Sequence, residues 1–251
     1  MASNGTSRLM RTMVVIPTYN ERENLIPLLQ QIWTLADSLH VLIVDDNSPD
    51  GTGDLAEQAR EQWPGKVFTL HQPKKLGLGV AYQCAFRHLL KLDYDAIIQM
   101  DADLSHDPAA IPEFLDRLKE ADLVVGSRYL GGIRVLNWDF KRLLLSKAAT
   151  RFAQIITGVY LTDLTGGFKA WRREALQAIE LDSIPAKGYL FQIETTFQAF
   201  YKGLRITELP IVFSERRLGQ SKIDYRIILE AAIGVIRLGV KRIRFANPTA
   251  K

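Results

Sequence analysis

The chain is organised around residues 97–108, which read IIQMDADLSHDP. The short apolar run predicts a buried strand, which ends at two carboxylates, Asp101 and Asp103, before Pro108 prevents further extension. Side chains at positions i and i+2 of an extended chain point the same way, so both carboxylates can converge on one hard cation. Mg²⁺ is typically held by one or two carboxylates and by substrate phosphates. The stretch therefore predicts a divalent-metal site that grips a diphosphate.

The Asp-x-Asp pair alone is weak support for a metal site, because many such pairs lie in solvated turns. Its context is more specific. Further short apolar runs at 12–16, 41–44, 67–70 and 123–127 predict strands, and helical periodicity appears in the segments between them. This alternation predicts an α/β fold with a largely parallel sheet. Ligands bind outside the carboxyl ends of such strands, and four of the five predicted strands end in polar clusters there.

The second half of the chain predicts longer helices at 139–157, 192–201 and 224–244, and a loop with two glycines at 163–169. A strand predicted at 206–213 carries Pro210, which favours an edge position. The last helix combines a basic stripe with a wide apolar face, so it either lies in a membrane interface or packs as a core helix. We expect a flexible segment at 1–11 and one domain at 12–222, to which the helix and tail at 223–251 also belong.

Charge is distributed unevenly along the chain. From residue 216 onward there are nine Lys/Arg against two Asp/Glu, a net charge of +7, which leaves −3 for the first 215 residues. Such a tail suits a polyanionic partner, and because no nucleic-acid-binding motif is present we expect a membrane surface and no nucleic acid. The single cysteine, Cys84, excludes an intramolecular disulfide, and no apolar signal segment is seen, so we expect a cytoplasmic location.

Six motifs follow one another along the chain. They are PTYNE (17–21), VDDNSPDGT (44–52), MDADLSHDP (100–108), GSRY (126–129), TGGFK (165–169) and RRLGQSK (216–222). Each motif is weak alone, but the ordered set from about Thr12 to Lys222 resembles the family 2 glycosyltransferases, and most closely the dolichol- or polyprenol-phosphate mannosyltransferases. The resemblance implies a GT-A (Rossmann-like) fold with C-terminal amphipathic interface helices. It also implies inverting transfer of mannose from GDP-mannose to a polyprenyl monophosphate.

By the same resemblance, the enzyme is peripheral on the cytoplasmic face of the membrane, acting alone or with a separate membrane-anchoring partner. The motifs also imply a set of donor-binding residues. The nucleoside would be held by Pro17, Tyr19, Glu21, Val44 and either Asp45 or Asp46, and the rest of the donor by Asp101, Ala102, Asp103, Arg128, Arg216 and Lys222. The residue types agree, because carboxylates accept from base and ribose groups and a tyrosine ring can stack on a base.

The resemblance assigns Mg²⁺ or Mn²⁺ to Asp101 and Asp103. Ser105 falls where some relatives carry a glutamine as a further ligand, so its part as a third metal ligand stays open. His106 and Asp107 could form an acid–base pair. The acceptor is already an anionic phosphate, however, so we expect these two residues to cap and brace the turn instead.

The remaining chemistry is neutralisation of negative charge, since an anionic acceptor meets a departing nucleoside diphosphate. By family likeness, Arg128, Arg142 and Ser146 would receive the lipid phosphate, and Arg216 and Lys222 would clamp the donor diphosphate. Arginine offers phosphate a bidentate fork and lysine a compact charge. The residues expected to act in catalysis are thus Asp101, Asp103, Arg128, Arg216 and Lys222.

Three other functions fit parts of the pattern. The same chemistry with UDP-glucose or another sugar nucleotide is the nearest, because the motifs indicate phosphate and ribose contacts more clearly than base or hexose contacts. A nucleotidyltransferase also pairs Asp residues around Mg²⁺, but no glycine-rich, lysine-bearing loop follows the first strand. A non-catalytic nucleotide- or lipid-phosphate-binding module would be expected to lack the Asp pair.

Overall fold

The computed structural model describes residues 10–36, 38–185, 188–214 and 225–246. Its strands are β1 (Thr12–Thr18), β2 (His40–Asp45), β3 (Val67–His71), β4 (Ala96–Gln99), β5 (Leu123–Ser127), β6 (Val135–Leu136), β7 (Lys169–Arg172), β8 (Ile206–Pro210) and β9 (Phe213–Ser214). Its helices are α1 (Arg22–Leu35), α2 (Thr52–Gln62), α3 (Leu78–Leu89), α4 (Ile111–Arg117), α5 (Phe140–Thr157), α6 (Arg173–Ala178), α7 (Gly188–Tyr201) and α8 (Tyr225–Ala246). Single 3₁₀ turns lie at Pro108–Ala110 and Leu181–Ser183.

The main sheet has seven strands in the order β3-β2-β1-β4-β7-β5-β8. Both of its faces are covered. Along β1, Val14 and Ile16 join a core cluster with α1, α2 and α4, whereas Met13 and Val15 join the cluster on the other face with α3, α6 and α7. Successive residues of a strand point to opposite faces, so a continuous apolar run predicts burial on both sides. The structure confirms the predicted α/β architecture.

Strand β7 is antiparallel to both neighbours, β4 and β5, while the other pairings in this sheet are parallel. Sequence reasoning missed β7, because its four residues, KAWR, begin and end on cations and show no apolar alternation. The direction of β7 matters for function. Since it runs against β4 and β5, the chain just before Lys169 lies at the edge where those two strands end, and this places Gly166 and Gly167 beside the carboxylates.

The predicted strand at 206–213 is divided in the structure. β8 ends at Pro210 on the edge of the main sheet, which confirms the edge position expected for that proline. The chain then pairs Phe213–Ser214 with Val135–Leu136 in a separate two-stranded sheet. The domain boundaries expected at residues 11 and 222 remain predictions, because residues 1–9 and 215–224 lie outside the described part of the chain.

Helix α8 packs through one face on α5 and α7. Its Val235 and Leu238 are buried in a third apolar cluster, and a Cβ at Gly239 would lie only 2.7 Å from Ile156 of α5. Lys241, which the sequence placed on a basic stripe, bonds at 2.6 Å to Glu194, a buried residue of α7. The opposite face of α8 exposes large apolar residues. The structure therefore confirms core packing for one face of the helix, and contact of the other face with a membrane stays a prediction.

In the part of the chain that the structure describes, no helix has the length and apolarity required to cross a membrane.

Candidate active site

The two carboxylates lie in a tight turn directly after β4. Leu104 holds a positive φ of 61°, a conformation that costs a non-glycine residue roughly 1–2 kcal/mol. This conformation folds the chain back, so that Asp103 Oδ1 accepts from Ser105 N at 3.1 Å and His106 Nδ1 accepts from Asp101 N at 3.1 Å. The strained turn thus fixes the backbone at both carboxylates before any ligand binds.

His106 and Asp107 brace this turn, as expected. Asp107 Oδ1 accepts from Ala109 N at 2.9 Å and caps the 3₁₀ turn that follows. The buried His106 ring stacks on Phe168, and its Nδ1 is engaged by the backbone. The hydrogen of the neutral ring is therefore on Nε2, which lies 3.9 Å from Asp101 Oδ2.

A single cavity of about 450 Å³ runs from these carboxylates to α5 and α8. Its polar lining residues include Asp101, Asp103, Arg128, Arg142, Ser146, Thr165 and Gln192. Its apolar lining residues from α5 and α8 include Leu145, Ala149, Phe152, Ala231, Ala232 and Val235. The structure thus brings the predicted metal-binding carboxylates and all three predicted acceptor-phosphate residues around one space.

Arg128 forms a buried ion pair that sequence reasoning missed. Its Nε and Nη2 donate to Asp163 Oδ2 and Oδ1 at 2.6 and 2.7 Å, and Nη2 also donates to Thr165 at 2.9 Å. Burial alone raises the pKa of Asp163, but the charge and hydrogen bonds of Arg128 outweigh it and leave that pKa below its usual value. Arg128 is therefore held rigidly, with its charge already balanced by Asp163.

Arg142 and Ser146 occupy one face of α5, four residues apart. Asp139 caps this helix by accepting from Arg142 N at 2.8 Å, and Tyr129 donates to Ser146 Oγ at 2.7 Å. The Arg142 guanidinium lies 4.3 Å from the centroid of the Trp138 ring. Helical spacing explains why both side chains reach the same cavity.

The carboxylates suit a hard cation that a substrate helps to coordinate. Asp101 is 31% exposed in its side chain, Asp103 is buried, and both supply oxygen. Beside them, Gly167 leaves room: a methyl group there would lie 3.8 Å from Asp101 Oδ1. Among the described residues, no three His, Cys, Asp or Glu side chains cluster as a metal site.

Ser105, the third predicted metal ligand, does not line the cavity. Its Oγ is buried and lacks a hydrogen-bond partner within the described parts of the chain. Its role as a ligand stays a prediction.

The residues predicted to hold the nucleoside lie at the ends of β1 and β2 and do not line the cavity. Asp45 accepts from Thr18 and Ser48, and Asp46 accepts from the backbone N–H groups of residues 76 and 77, both at 2.7 Å. Pro17, Val44 and Ala102 are buried, whereas Glu21 is partly exposed. Lys75 Nζ covers one face of Tyr19, 3.6 Å from the ring centroid. Nucleoside binding by this group stays a prediction.

Two predicted phosphate-clamping residues, Arg216 and Lys222, lie outside the described residues. Two further functional positions emerge from the structure alone. Lys169 is fully buried, and burial lowers its pKa to about 7. Asp163 stands two residues before the TGGFK motif, and this proximity was the only available sign of its role.

Substitution of two adjacent glycines, Gly166 and Gly167, should affect stability in one case and activity in the other. A Cβ at Gly166 would lie 2.7 Å from the carbonyl oxygen of Gly126, so Gly166→Ala should lower the free energy of unfolding by about 1–3 kcal/mol. At Gly167 the nearest atom would be 3.6 Å away, in ordinary contact, so Gly167→Ala should fold normally. Its methyl group would enter the cavity and lower kcat/KM by about 10- to 100-fold.

Thermal denaturation measures the stability of both variants, and steady-state kinetics measures their kcat/KM. Unchanged activity in a well-folded Gly167→Ala protein would show that the substrate does not reach the space over this glycine.

The fold matches solved glycosyltransferases. Glucosyl-3-phosphoglycerate synthase from Mycobacterium tuberculosis, in complex with Mn²⁺, UDP and its product, aligns with a TM-score of 0.67 at 19% identity over 93% of this chain and 80% of that one. The mannosyltransferase PcManGT from Pyrobaculum calidifontis, in complex with GDP-Man and Mn²⁺, aligns with a TM-score of 0.59 at 19% identity, over 98% and 77%. The predicted GT-A fold is confirmed.

Sequence comparison is more specific. The polyprenol monophosphomannose synthase of Mycolicibacterium smegmatis is 43% identical over 92% of this chain and 88% of its own. The undecaprenyl-phosphate mannosyltransferase of Micrococcus luteus is 44% identical over 92% and 95%, respectively. The pattern of the family described as "Glycosyl transferase family 2" matches residues 13–180. The chain is therefore an enzyme that belongs to glycosyl transferase family 2.

Proposed function

We propose that this enzyme transfers mannose from GDP-mannose to a polyprenyl monophosphate, with inversion at the anomeric carbon. Two relatives at 43% and 44% identity are named polyprenol monophosphomannose synthase and undecaprenyl-phosphate mannosyltransferase, which supports a polyprenyl phosphate as the acceptor and mannose as the sugar. The mannosyltransferase from Pyrobaculum calidifontis, whose complex contains GDP-Man, supports mannose as the sugar and GDP as the nucleotide.

The composition of the cavity supports this function, because two carboxylates and apolar residues of α5 and α8 line the same space. A polyprenyl phosphate has the same two-part character, with an anionic head and a long apolar chain. Its phosphate would lie by Arg142 and Ser146, and its first isoprene units by Leu145, Ala149 and Val235. A water-soluble acceptor would not require the apolar residues that line the cavity.

In the proposed reaction an oxygen of the lipid phosphate attacks the anomeric carbon, while the bond from that carbon to the GDP oxygen breaks. The attacking group is already anionic, so no side chain has to remove a proton. Arg142 would offset the charge of the acceptor, and Arg128, held in place by Asp163, would orient it. We propose that Arg216 and Lys222 offset the charge of the departing GDP. Asp101 and Asp103 would hold Mg²⁺ or Mn²⁺, which, when bound, offsets charge on the leaving diphosphate.

The exposed surface of α5 and α8 favours membrane contact. Ten of the sixteen exposed large apolar residues in the described chain lie on α5 and α8, which pack side by side. They are Phe140, Leu144, Leu145, Phe152, Ile155, Leu229, Ile233, Ile236, Val240 and Ile243. Cations such as Lys147 and Arg237 are exposed on the same two helices. Such a surface suits an anionic bilayer, and we propose peripheral binding at the cytoplasmic face.

A transfer assay tests the proposed reaction. Purified protein, Mg²⁺ or Mn²⁺ and a polyprenyl phosphate are mixed with radiolabelled GDP-mannose, UDP-glucose or other sugar nucleotides, and label in the lipid phase is counted. GDP-mannose should give the highest kcat/KM. Transfer from UDP-glucose alone would contradict the proposed donor, and no lipid-linked product from any donor would contradict the proposed acceptor.

The membrane surface makes a separate prediction. Replacing Ile236, Val240 and Ile243 together by Ser should weaken binding to vesicles containing anionic lipid by at least about 10-fold, because each residue loses apolar area that the bilayer buries. All three side chains are more than half exposed, so the free energy of unfolding should change little.

Vesicle sedimentation measures this binding, and Leu92→Ser is the matched control. Leu92 is an exposed apolar residue that follows α3, outside the α5–α8 surface. Equal vesicle binding by the triple variant and the native protein would show that this surface does not meet the bilayer.

A further inference from the structure

A chain of buried hydrogen bonds determines which end of Gln192 faces the cavity. Trp171 Nε1 donates to Gln99 Oε1 at 2.6 Å, and Gln99 Nε2 lies 3.3 Å from Gln192 Oε1. An indole N–H can only donate, so Gln99 must present its oxygen to Trp171 and its amide nitrogen to Gln192. Gln192 therefore accepts through Oε1 and leaves Nε2 as the end that faces the cavity, independent of how amide atoms are assigned.

The backbone of Gln192 is held as firmly as its side chain. Lys169 Nζ donates to Gln192 O at 2.6 Å, and the hydroxyls of Thr195 and Thr196 donate to the same oxygen at 3.1 Å. Gln192 itself is 2% exposed, and Lys169, Thr195 and Thr196 are fully buried. An amide placed this firmly is prepared for a specific partner.

Gln192 Nε2 has no such partner among the described residues, although it is buried and Gln192 lines the cavity. Buried polar groups in proteins are almost always hydrogen-bonded, so a ligand atom is expected here. The position of the amide narrows the choice. A methyl group at Gly167 would lie 3.6 Å from Gln192 Nε2 and 3.8 Å from Asp101 Oδ1, so a donor and an acceptor border the same small space.

A hydroxyl group matches this pair best. It can accept a hydrogen bond from the amide and donate one directly to Asp101 Oδ1, whereas a phosphate oxygen could approach that carboxylate only through the cation. The only part of a sugar nucleotide or lipid phosphate that is rich in hydroxyls and is transferred near the carboxylates is the hexose.

We infer that Gln192 is a specificity-determining residue, whose Nε2 donates a hydrogen bond to one hydroxyl group of the hexose on the donor. The inference rests on the proposed function, in which a hexose is transferred at this site. It adds a contact that recognises the sugar rather than the diphosphate.

The test compares Gln192→Leu with the native protein on the donor sugar nucleotide and on its 2-, 3-, 4- and 6-deoxy analogues. The native protein should lose about 10- to 100-fold in kcat/KM on one analogue, which lacks the hydroxyl that Gln192 contacts. Gln192→Leu should lose a similar factor on the parent donor but nothing further on that analogue. Its affinity for GDP with Mn²⁺ should be unchanged, because the diphosphate is not the partner.

A purely structural role predicts another outcome. Equal losses on the parent donor and on every deoxy analogue, or no loss on any of them, would overturn the inference. Gln192→Met keeps the length of the side chain and removes the amide donor without adding a charge, so it supplies the same comparison if the leucine variant does not fold. Gln198→Leu is the matched control: Gln198 is a buried glutamine of the same helix whose amide bonds Glu180 N and Ser183 instead.

The experiments distinguish a wrong proposed function from a wrong role for Gln192. If another sugar nucleotide is the substrate, the native protein will show this, and the comparison proceeds with that donor and its deoxy analogues. If no donor reacts, equilibrium binding decides: the native protein should bind GDP-mannose more tightly than GDP, and Gln192→Leu should lose that preference. A preference retained in the variant would contradict the inference.

Discussion

Asp101→Asn and Asp103→Asn should each lower kcat by at least about 100-fold, the largest effect that we expect from single substitutions in this chain. Each removes a negative charge and an anionic oxygen from the cavity, while keeping the size of the side chain. A divalent cation that these carboxylates would hold should then bind poorly. A Mn²⁺ titration followed by electron paramagnetic resonance, in the presence of GDP, should show the lost affinity independently of turnover.

Asp107→Asn is the matched control for this experiment. It changes a third carboxylate of the same turn, but Asn is as good a cap as Asp, so stability and activity should stay near native values. Native Mn²⁺ affinity and native kcat in both the Asp101 and Asp103 variants would show that these residues do not bind the metal.

Asp163→Asn should lower the free energy of unfolding by about 3–5 kcal/mol. The substitution leaves the Arg128 guanidinium, only 12% exposed, without the carboxylate that balances its charge. Arg128 also loses the bidentate contact that points it along the cavity, so KM for the lipid acceptor should rise. Urea unfolding and acceptor titrations measure the two effects.

Asp122→Asn provides the comparison, because Asp122 forms a similar two-point ion pair with Arg205 at the surface. Arg205 is 62% exposed, and such pairs contribute only about 0–1 kcal/mol. If Asp163→Asn costs no more than Asp122→Asn, the buried pair is not a major source of stability.

The buried pair also gives a pH dependence with a definite sign. The pKa of Asp163 is lower in the folded protein than in the unfolded chain, so its contribution is complete above the unfolded value of about 4. The contribution is lost as the pH falls through the folded pKa. The stability difference between native protein and Asp163→Asn should therefore shrink in acid.

The sequence was sufficient for the features that depend on local pattern. Buried strands such as β1 and β2 show as uninterrupted apolar runs, and the turn after β4 shows as an apolar run that ends at carboxylates. Because parallel strands end at one edge, the grouping of Asp101 and Asp103 with Arg128 followed from topology alone. Arg142 and Ser146 were predicted from the family resemblance, and the structure places both of them on one face of α5.

What the sequence did not reveal depends on contacts between distant segments. Arg128 and Asp163 are 35 positions apart in the chain. They come together because β7, which follows Asp163, pairs with β5, which precedes Arg128, and no sequence periodicity predicts β7. The orientation of Gln192 depends on Gln99 and Trp171 from two other elements. Such three-dimensional arrangements leave no periodic trace in the chain, so only the structure distinguishes them from ordinary core residues.

We propose that the cavity beside α5 and α8 holds the lipid chain while the lipid phosphate lies near the carboxylates. Photocrosslinking with a polyprenyl phosphate that carries a diazirine in its first isoprene units, followed by mass spectrometry of the peptides, tests this placement. The label should appear on α5 and α8, around Leu145, Ala149 and Val235, and excess unlabelled polyprenyl phosphate should suppress it. Suppressible label confined to other parts of the chain would show that the lipid chain does not lie beside α5 and α8.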